Sequence, residues 1–399
     1  MPHSRALQDA LRKVQDAAQA DSTGSGQAHV DFLEAIRKLN LASETPAETL
    51  MRMRFEPLQS AAIRIALEAG IFAALDEAQG RSMTATLLAT KTGYDALLIA
   101  RIMRLVTCVG VADEVGENTY TANDMTRLIN QPGLSGGEKH HFDLFFPIGA
   151  RLVEYMHRTG VHQFPKDDSE LSPFRYAHNG MHFFEYFDKT PEQRKYLDDY
   201  MAVRRVGLAT WFETFPMAQT LCPGTKTDQD EVLLVDVGGS WGHELAAFAR
   251  AHPDAHGRLI LQDLPKVIEK VKGEAPPASV ECMAYDFFTA QPVKGARAYY
   301  FRNICHDWQD SICEQILVNT AQSMERGYSR ILIDEYVLPD TSAPIRGSSM
   351  DFLMMMFCSG IERTKRQWES LLDRCGLEIV RVWRTRSDYE QIIEAQLKE

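Results

Sequence analysis

From Met51 onward, apolar residues recur along the chain at spacings of three and four. Leu58, Ala61, Ala62, Ile65 and Ala69 fall on one face of a predicted helix, and Gly70 supplies its stop. Leu97 to Val109 repeats the signature through Leu98, Ile102, Leu105 and Val109 and ends at Gly110. A strand is expected at Val111–Glu114, a turn at Gly116-Glu117-Asn118 and a second strand at Thr119–Thr121. Residues 49–135 therefore read as a mainly helical, winged-helix-like domain. The preceding 1–48 is polar and rich in Ala and Gln, with helices expected on either side of a break at Asp21–Gly26. Residues 136–220 form a further helical region dense in aromatics, among them Phe142, Phe145, Tyr155, Phe164, Phe174, Phe183 and Phe187. Most of these rings are expected in the core, and some are expected to line a pocket for a flat apolar ligand.

Past Cys222-Pro223-Gly224 the pattern changes. Short apolar runs at Val232–Val237, Arg258–Leu261, Ser279–Met283, Ala298–Phe301 and Ile331–Tyr336 alternate with helical stretches, and Leu377–Trp383 adds another. Buried runs interleaved with helices predict a doubly wound, mostly parallel α/β sheet of Rossmann-like type over 221–399. Charge then narrows the function. The 43 Lys+Arg against 55 Asp+Glu leave a net charge of −12, which opposes the basic face that a nucleic-acid binder needs. Thr92–Ile99, where a groove-reading helix would start, carries no Lys or Arg. No run approaches the ~18 apolar residues of a membrane-spanning helix, and Met-Pro-His-Ser-Arg lacks the apolar core of a secretory signal. The 7 cysteines are odd in number and form no CxxC, so neither a disulfide framework nor a metal site is expected, and the setting is expected to be reducing and cytoplasmic.

Four elements carry chemistry. In Val235-Asp236-Val237-Gly238-Gly239-Ser240-Trp241-Gly242-His243, a buried strand breaks into glycines before a helix. Gly238 and Gly239 allow a tight turn and close approach of a ligand, while Asp236 is placed to face a cation. The spacing is not GxGxxG, the dinucleotide fingerprint. Asp263, before Leu264-Pro265, ends the next strand where a carboxylate accepts from ribose hydroxyls. Asp286-Phe287 follows a third strand and suits an adenine, an acceptor beside a ring. His306, in Phe301-Arg302-Asn303-Ile304-Cys305-His306-Asp307-Trp308, leaves a fourth strand and can serve as a general base. Ser311 and Glu314 are spaced as a capping box for the helix after it.

Together with the Asp334-Glu335 strand end, Gly360-Ile361-Glu362-Arg363-Thr364 and Gly180-Met181-His182-Phe183-Phe184-Glu185-Tyr186, these motifs resemble the plant caffeate-type and fungal O-methyltransferases, which use S-adenosyl-L-methionine. The resemblance implies that His306 removes the substrate's hydroxyl proton and that Glu335 and Glu362 flank and orient it. Asp236, Gly238, Gly239, Asp263, Leu264, Asp286 and Phe287 are implied cofactor contacts. Arg302 is another, at a position where the family often has Lys. Met181, Phe183, Met354, Met355 and Asp307 are expected against a phenolic or polyketide-like small molecule. The winged-helix-like region resembles the family's dimerisation domain, which implies a homodimer. Two other functions stay open. One is a pericyclase that uses the bound cofactor electrostatically, and the other is a non-catalytic regulator on the same fold.

Overall fold

The computed structural model describes residues 2–160, 172–205, 207–221, 231–273, 279–384 and 386–399. Phe164 and Cys222-Pro223-Gly224 lie outside the described residues. The chain divides into two compact units. One holds Phe32–Gly160 and Phe174–Leu208, and the other holds Ala209–Glu399.

In the helical unit, α1 (Pro46–Glu68) starts at a capping box made by Thr45 and Glu48 and stops at Gly70, whose φ of 67° is left-handed. Helices α2 (Ile71–Glu77), α3 (Ala85–Thr92) and α4 (Ala96–Cys108) follow. Strands β1 (Met83–Thr84), β2 (Asp113–Gly116) and β3 (Thr119–Thr121) form a small sheet in the order β1-β3-β2. The predicted apolar faces match the real ones in part. Of the predicted positions Ala62 and Ala69 are buried in the core, with Ala66 beside them, while Leu58 and Ile65 are exposed. In α4 the buried stripe runs through Ile99, Ile102, Met103 and Val106, leaving Leu98 outside. The small alanines let α1 pack closely, while the larger side chains on its flank stay at the surface.

The second unit is built on a seven-stranded sheet. Its strands are β4 (Val232–Val237), β5 (Arg258–Asp263), β6 (Val280–Ala284), β7 (Ala298–Arg302), β8 (Arg330–Glu335), β9 (Leu377–Trp383) and β10 (Gln391–Leu397), in the order β6-β5-β4-β7-β8-β10-β9. The five strands from β6 to β8 are parallel, and β10 is antiparallel to both of its neighbours. All six residues of β4 are buried, as a central strand covered on both faces requires. From β4 the chain first builds toward β6 and then returns to build toward β9. The order therefore reverses between β4 and β7, the position at which such sheets open a ligand crevice beyond their carboxyl ends. Strand β10 was not anticipated. Its interior residue Glu394 is buried, paired with Arg330 at 3.3 Å and accepting from the Trp383 indole at 3.0 Å.

Candidate active site

The strand ends place the predicted motifs along one edge. After β4 the backbone amides of Gly238 and Gly239 both donate to the Gln262 carbonyl, at 2.8 and 3.2 Å, which folds the glycine corner onto β5. A Cβ on Gly239 would fall 2.4 Å from Asp236 Oδ2 and 2.6 Å from Leu261 Cδ1, so the turn needs glycine there. A Cβ on Gly238 would fall 2.6 Å from Ile304 Cδ1 and 3.8 Å from the Phe287 ring. Gly238, Phe287 and Ile304 thus meet at one point, although 66 residues separate the outer two in sequence.

Asp236 is buried, which pushes its pKa up to about 7 against the pull of Arg302, with Asp263 adding to the rise. Both oxygens of Asp263 are engaged, accepting the backbone amides of Ser240 at 2.8 Å and Leu264 at 2.7 Å. Each oxygen keeps a second lone pair for a ligand hydroxyl. Leu264 is exposed beside it. Asp286 is exposed and accepts the Phe288 amide at 3.0 Å, and the Phe287 ring is half-buried against Phe288 and Trp308. Arg302 is ion-paired with Glu244, at the start of helix α5 (His243–Ala251), with Asp334 at 3.9 Å from its Nε. An edge with this surplus of carboxylate suits a ligand that carries a sulfonium and an ammonium, so the residues fit S-adenosylmethionine.

The loop after β7 holds the predicted base. His306 Nδ1 lies 2.8 Å from Glu362 Oε1, while Nε2 faces Asp307 Oδ1 at 3.6 Å, too far for a hydrogen bond. One ring nitrogen is committed and the other stays available. Burial opposes charge on the ring, but the Glu362, Asp307 and Glu335 carboxylates outweigh it and push the His306 pKa up to about 10. Glu335 does not hydrogen-bond to the ring. Its Oε1 accepts the amides of Ile304 at 3.1 Å and Cys305 at 2.6 Å, and burial pushes its pKa up to about 7. The expected capping box after the loop does not form. The cap of helix α6 (Asp310–Ala321) is Gln309, whose side chain makes no capping hydrogen bond to the helix, and Glu314 pairs with Arg374.

Three supports of this loop were missed in the sequence. Arg363 is fully buried. It donates to the Cys305 and Trp308 carbonyls at 2.9 Å each and to Asp310 at 2.9 Å, closing a clamp around His306. Asp351, on helix α7 (Ile345–Cys358), accepts the Glu362 amide at 2.9 Å. Gly360 sits against the His306 carbonyl, which also accepts the Ile361 amide at 2.9 Å. The signal for Arg363 was its place beside Glu362, but a charged residue at a helix start reads as solvated. Of the substrate candidates, Met354 is buried on α7 and Met355 half-buried, while Met181 and Phe183 belong to the helical unit. There Phe183 packs edge-on against Phe174 and Phe187.

A family model described as an O-methyltransferase domain matches residues 164–378. The chain belongs to the O-methyltransferase family. A second model, the O-methyltransferase dimerisation domain, matches residues 51–131. The demethylsterigmatocystin 6-O-methyltransferase of Aspergillus flavus is 30% identical over 94% of each chain. Among solved structures, LepI in complex with S-adenosylmethionine has 27% identity and a TM-score of 0.87, covering 96% of this chain and 97% of that one. OxaC in complex with sinefungin and meleagrin has 31% identity and a TM-score of 0.83, covering 98% and 99%. This methyltransferase uses S-adenosylmethionine as its cofactor.

Proposed function

We propose that the enzyme methylates a hydroxyl of a phenolic or polyketide-like small molecule, with His306 as the general base. The observation that carries this reading is the His306–Glu362 pair at 2.8 Å, at the exit of β7, with Nε2 left available. When bound, the cofactor supplies a methyl group on a sulfonium, and its departure leaves a neutral thioether. A phenol with a pKa near ~10 is a poor nucleophile while protonated. His306 Nε2 accepts the hydroxyl proton as the oxygen–carbon bond forms, and Glu362 on Nδ1 stabilises the imidazolium. A well-placed base contributes about 10²–10⁴ in rate, and correct alignment of the reacting atoms contributes more, roughly 7–11 kcal/mol.

A flat acceptor is supported by the relative that methylates demethylsterigmatocystin. We also propose a homodimer formed through 51–131, because α1 exposes Met51, Met53, Phe55 and Leu58 there.

The likeness to LepI, a pericyclic reaction enzyme on the same fold, supports a second reading in which the cofactor is not consumed. Incubation with methyl-labelled S-adenosylmethionine and a panel of aromatic hydroxyl compounds separates the two. Label in the product's methoxy group is expected. Substrate conversion without label would instead favour the pericyclase.

A further inference from the structure

The reaction proposed above uses one carboxylate, Glu362, against the ring of His306. Glu335 makes no hydrogen bond to that ring, yet it is 1% exposed and Glu362 is 2% exposed. Each uses a single oxygen. Glu335 Oε1 takes the Ile304 and Cys305 amides, and Glu362 Oε1 takes His306 Nδ1. The other oxygen of each, Oε2 in both, is buried without a hydrogen-bond partner among the described residues.

Few charges surround the pair. His306 faces it from the loop after β7 and is already bonded to Glu362. Arg363 faces it from the segment after α7, but its donors go to Asp310, the Cys305 and Trp308 carbonyls and the Cys313 sulfur. Asp307, 3.6 Å from His306 Nε2, and Asp351, on the Glu362 amide, add negative charge. Two buried anions behind one ring repel each other, and neither supplies the donor that the other's free oxygen lacks.

We propose that Glu335 is a neutral carboxylic acid in the enzyme at neutral pH, its proton carried on Oε2 and donated toward Glu362, directly or across one enclosed water, so that a single anion backs His306. The inference rests on His306 as the base and makes Glu335 a positioning residue rather than a second counter-ion. Its Oε1 holds the two amides that start the loop, and its acid hydrogen completes the Glu362 carboxylate. Burial favours the neutral form, in the same direction as this geometry. One anion also holds the imidazolium less tightly than two, which suits a group that must start the cycle unprotonated.

The test is Glu335→Gln in the full-length enzyme, since glutamine keeps the shape, the acceptor and a neutral donor. Glu335→Gln is expected to lose less turnover than Glu362→Gln, which is expected to lose about 10² or more. Melting at pH 8 is expected at or above the parent's temperature. The infrared difference spectrum, parent minus variant at pH 7, is expected to show the carbonyl band of a protonated carboxyl. A Glu335→Gln enzyme as impaired as Glu362→Gln, less stable than the parent, or giving only carboxylate bands would overturn the assignment. The base role of His306 is read from separate variants, so its failure and this one are distinguishable.

Discussion

Replacing His306 with glutamine is expected to lower turnover by about 10²–10⁴ while S-adenosylhomocysteine still binds as it does to the parent. Glutamine can still donate to Glu362, so it avoids the buried unpaired carboxylate that alanine would leave, a loss of about 3–5 kcal/mol in comparable sites. It cannot accept the substrate's proton. The candidate cofactor residues Asp236, Asp263, Asp286 and Phe287 lie at or just after the β4, β5 and β6 ends and Arg302 ends β7, and the imidazole is bonded to Glu362 instead, so calorimetry with S-adenosylhomocysteine is expected to be unchanged. The pH profile of the parent carries the same information. The His306 pKa is raised to about 10, and a base works only when unprotonated. The parent's kcat/KM is therefore expected to climb with pH toward that value. The stability linkage has the opposite sense. Because the folded pKa lies above the unfolded value of ~6.5, the stabilisation by protonated His306 is complete below ~6.5. It fades as pH rises toward about 10. The melting deficit of His306→Gln should therefore be greatest in mild acid and shrink in alkali. Turnover equal to the parent's would remove His306 as the base.

Gly360→Ala is expected to be nearly as damaging to turnover, although Gly360 touches no reacting atom. A Cβ there would stand 2.0 Å from the His306 carbonyl oxygen and 3.0 Å from Cys358 Sγ. The first obstacle is backbone, pinned by the Ile361 amide and flanked by the Arg363 clamp, so no flexible side chain can yield. Either the His306 loop or the turn at 359–361 must move. A displacement of about 1 Å in a catalytic group can cost ~10²-fold in rate, and overpacking typically costs about 1–3 kcal/mol in stability. Steady-state rates and melting curves check both. An alanine variant with parental kcat and stability would show that the loop is softer than its contacts indicate.

The parallel sheet was legible because its strands are short, largely apolar runs, and the chemistry was legible because Asp236, Asp263, Asp286 and His306 lie at the end of such a run or just after it. Strand β10 was hidden by Glu394, a charge whose partners Arg330 and Trp383 arrive from 64 residues and 11 residues away. Helix faces in 49–135 were read only in part, because alanine and leucine score alike as apolar while packing decides which is buried. In the site, the glycine corner is a matter of local spacing and was anticipated, whereas the nearness of Glu362 to His306, 56 residues away in sequence, was implied only by the family resemblance. The division of labour between Glu335 and Glu362 was not anticipated, since it depends on which carboxylate reaches the imidazole and which reaches the backbone. Arg363 and Gly360 act through carbonyls, and carbonyls leave no mark in the sequence.

The most direct measurement is a structure of the enzyme with S-adenosylhomocysteine and an aromatic hydroxyl acceptor bound together. The acceptor oxygen should stand within about 2.6–3.2 Å of His306 Nε2, with Glu362 still on Nδ1 and the sulfur at the glycine corner on the far side of that oxygen. An acceptor whose hydroxyl points away from the imidazole, or a ring turned so that Nε2 faces only protein, would contradict proton removal by His306.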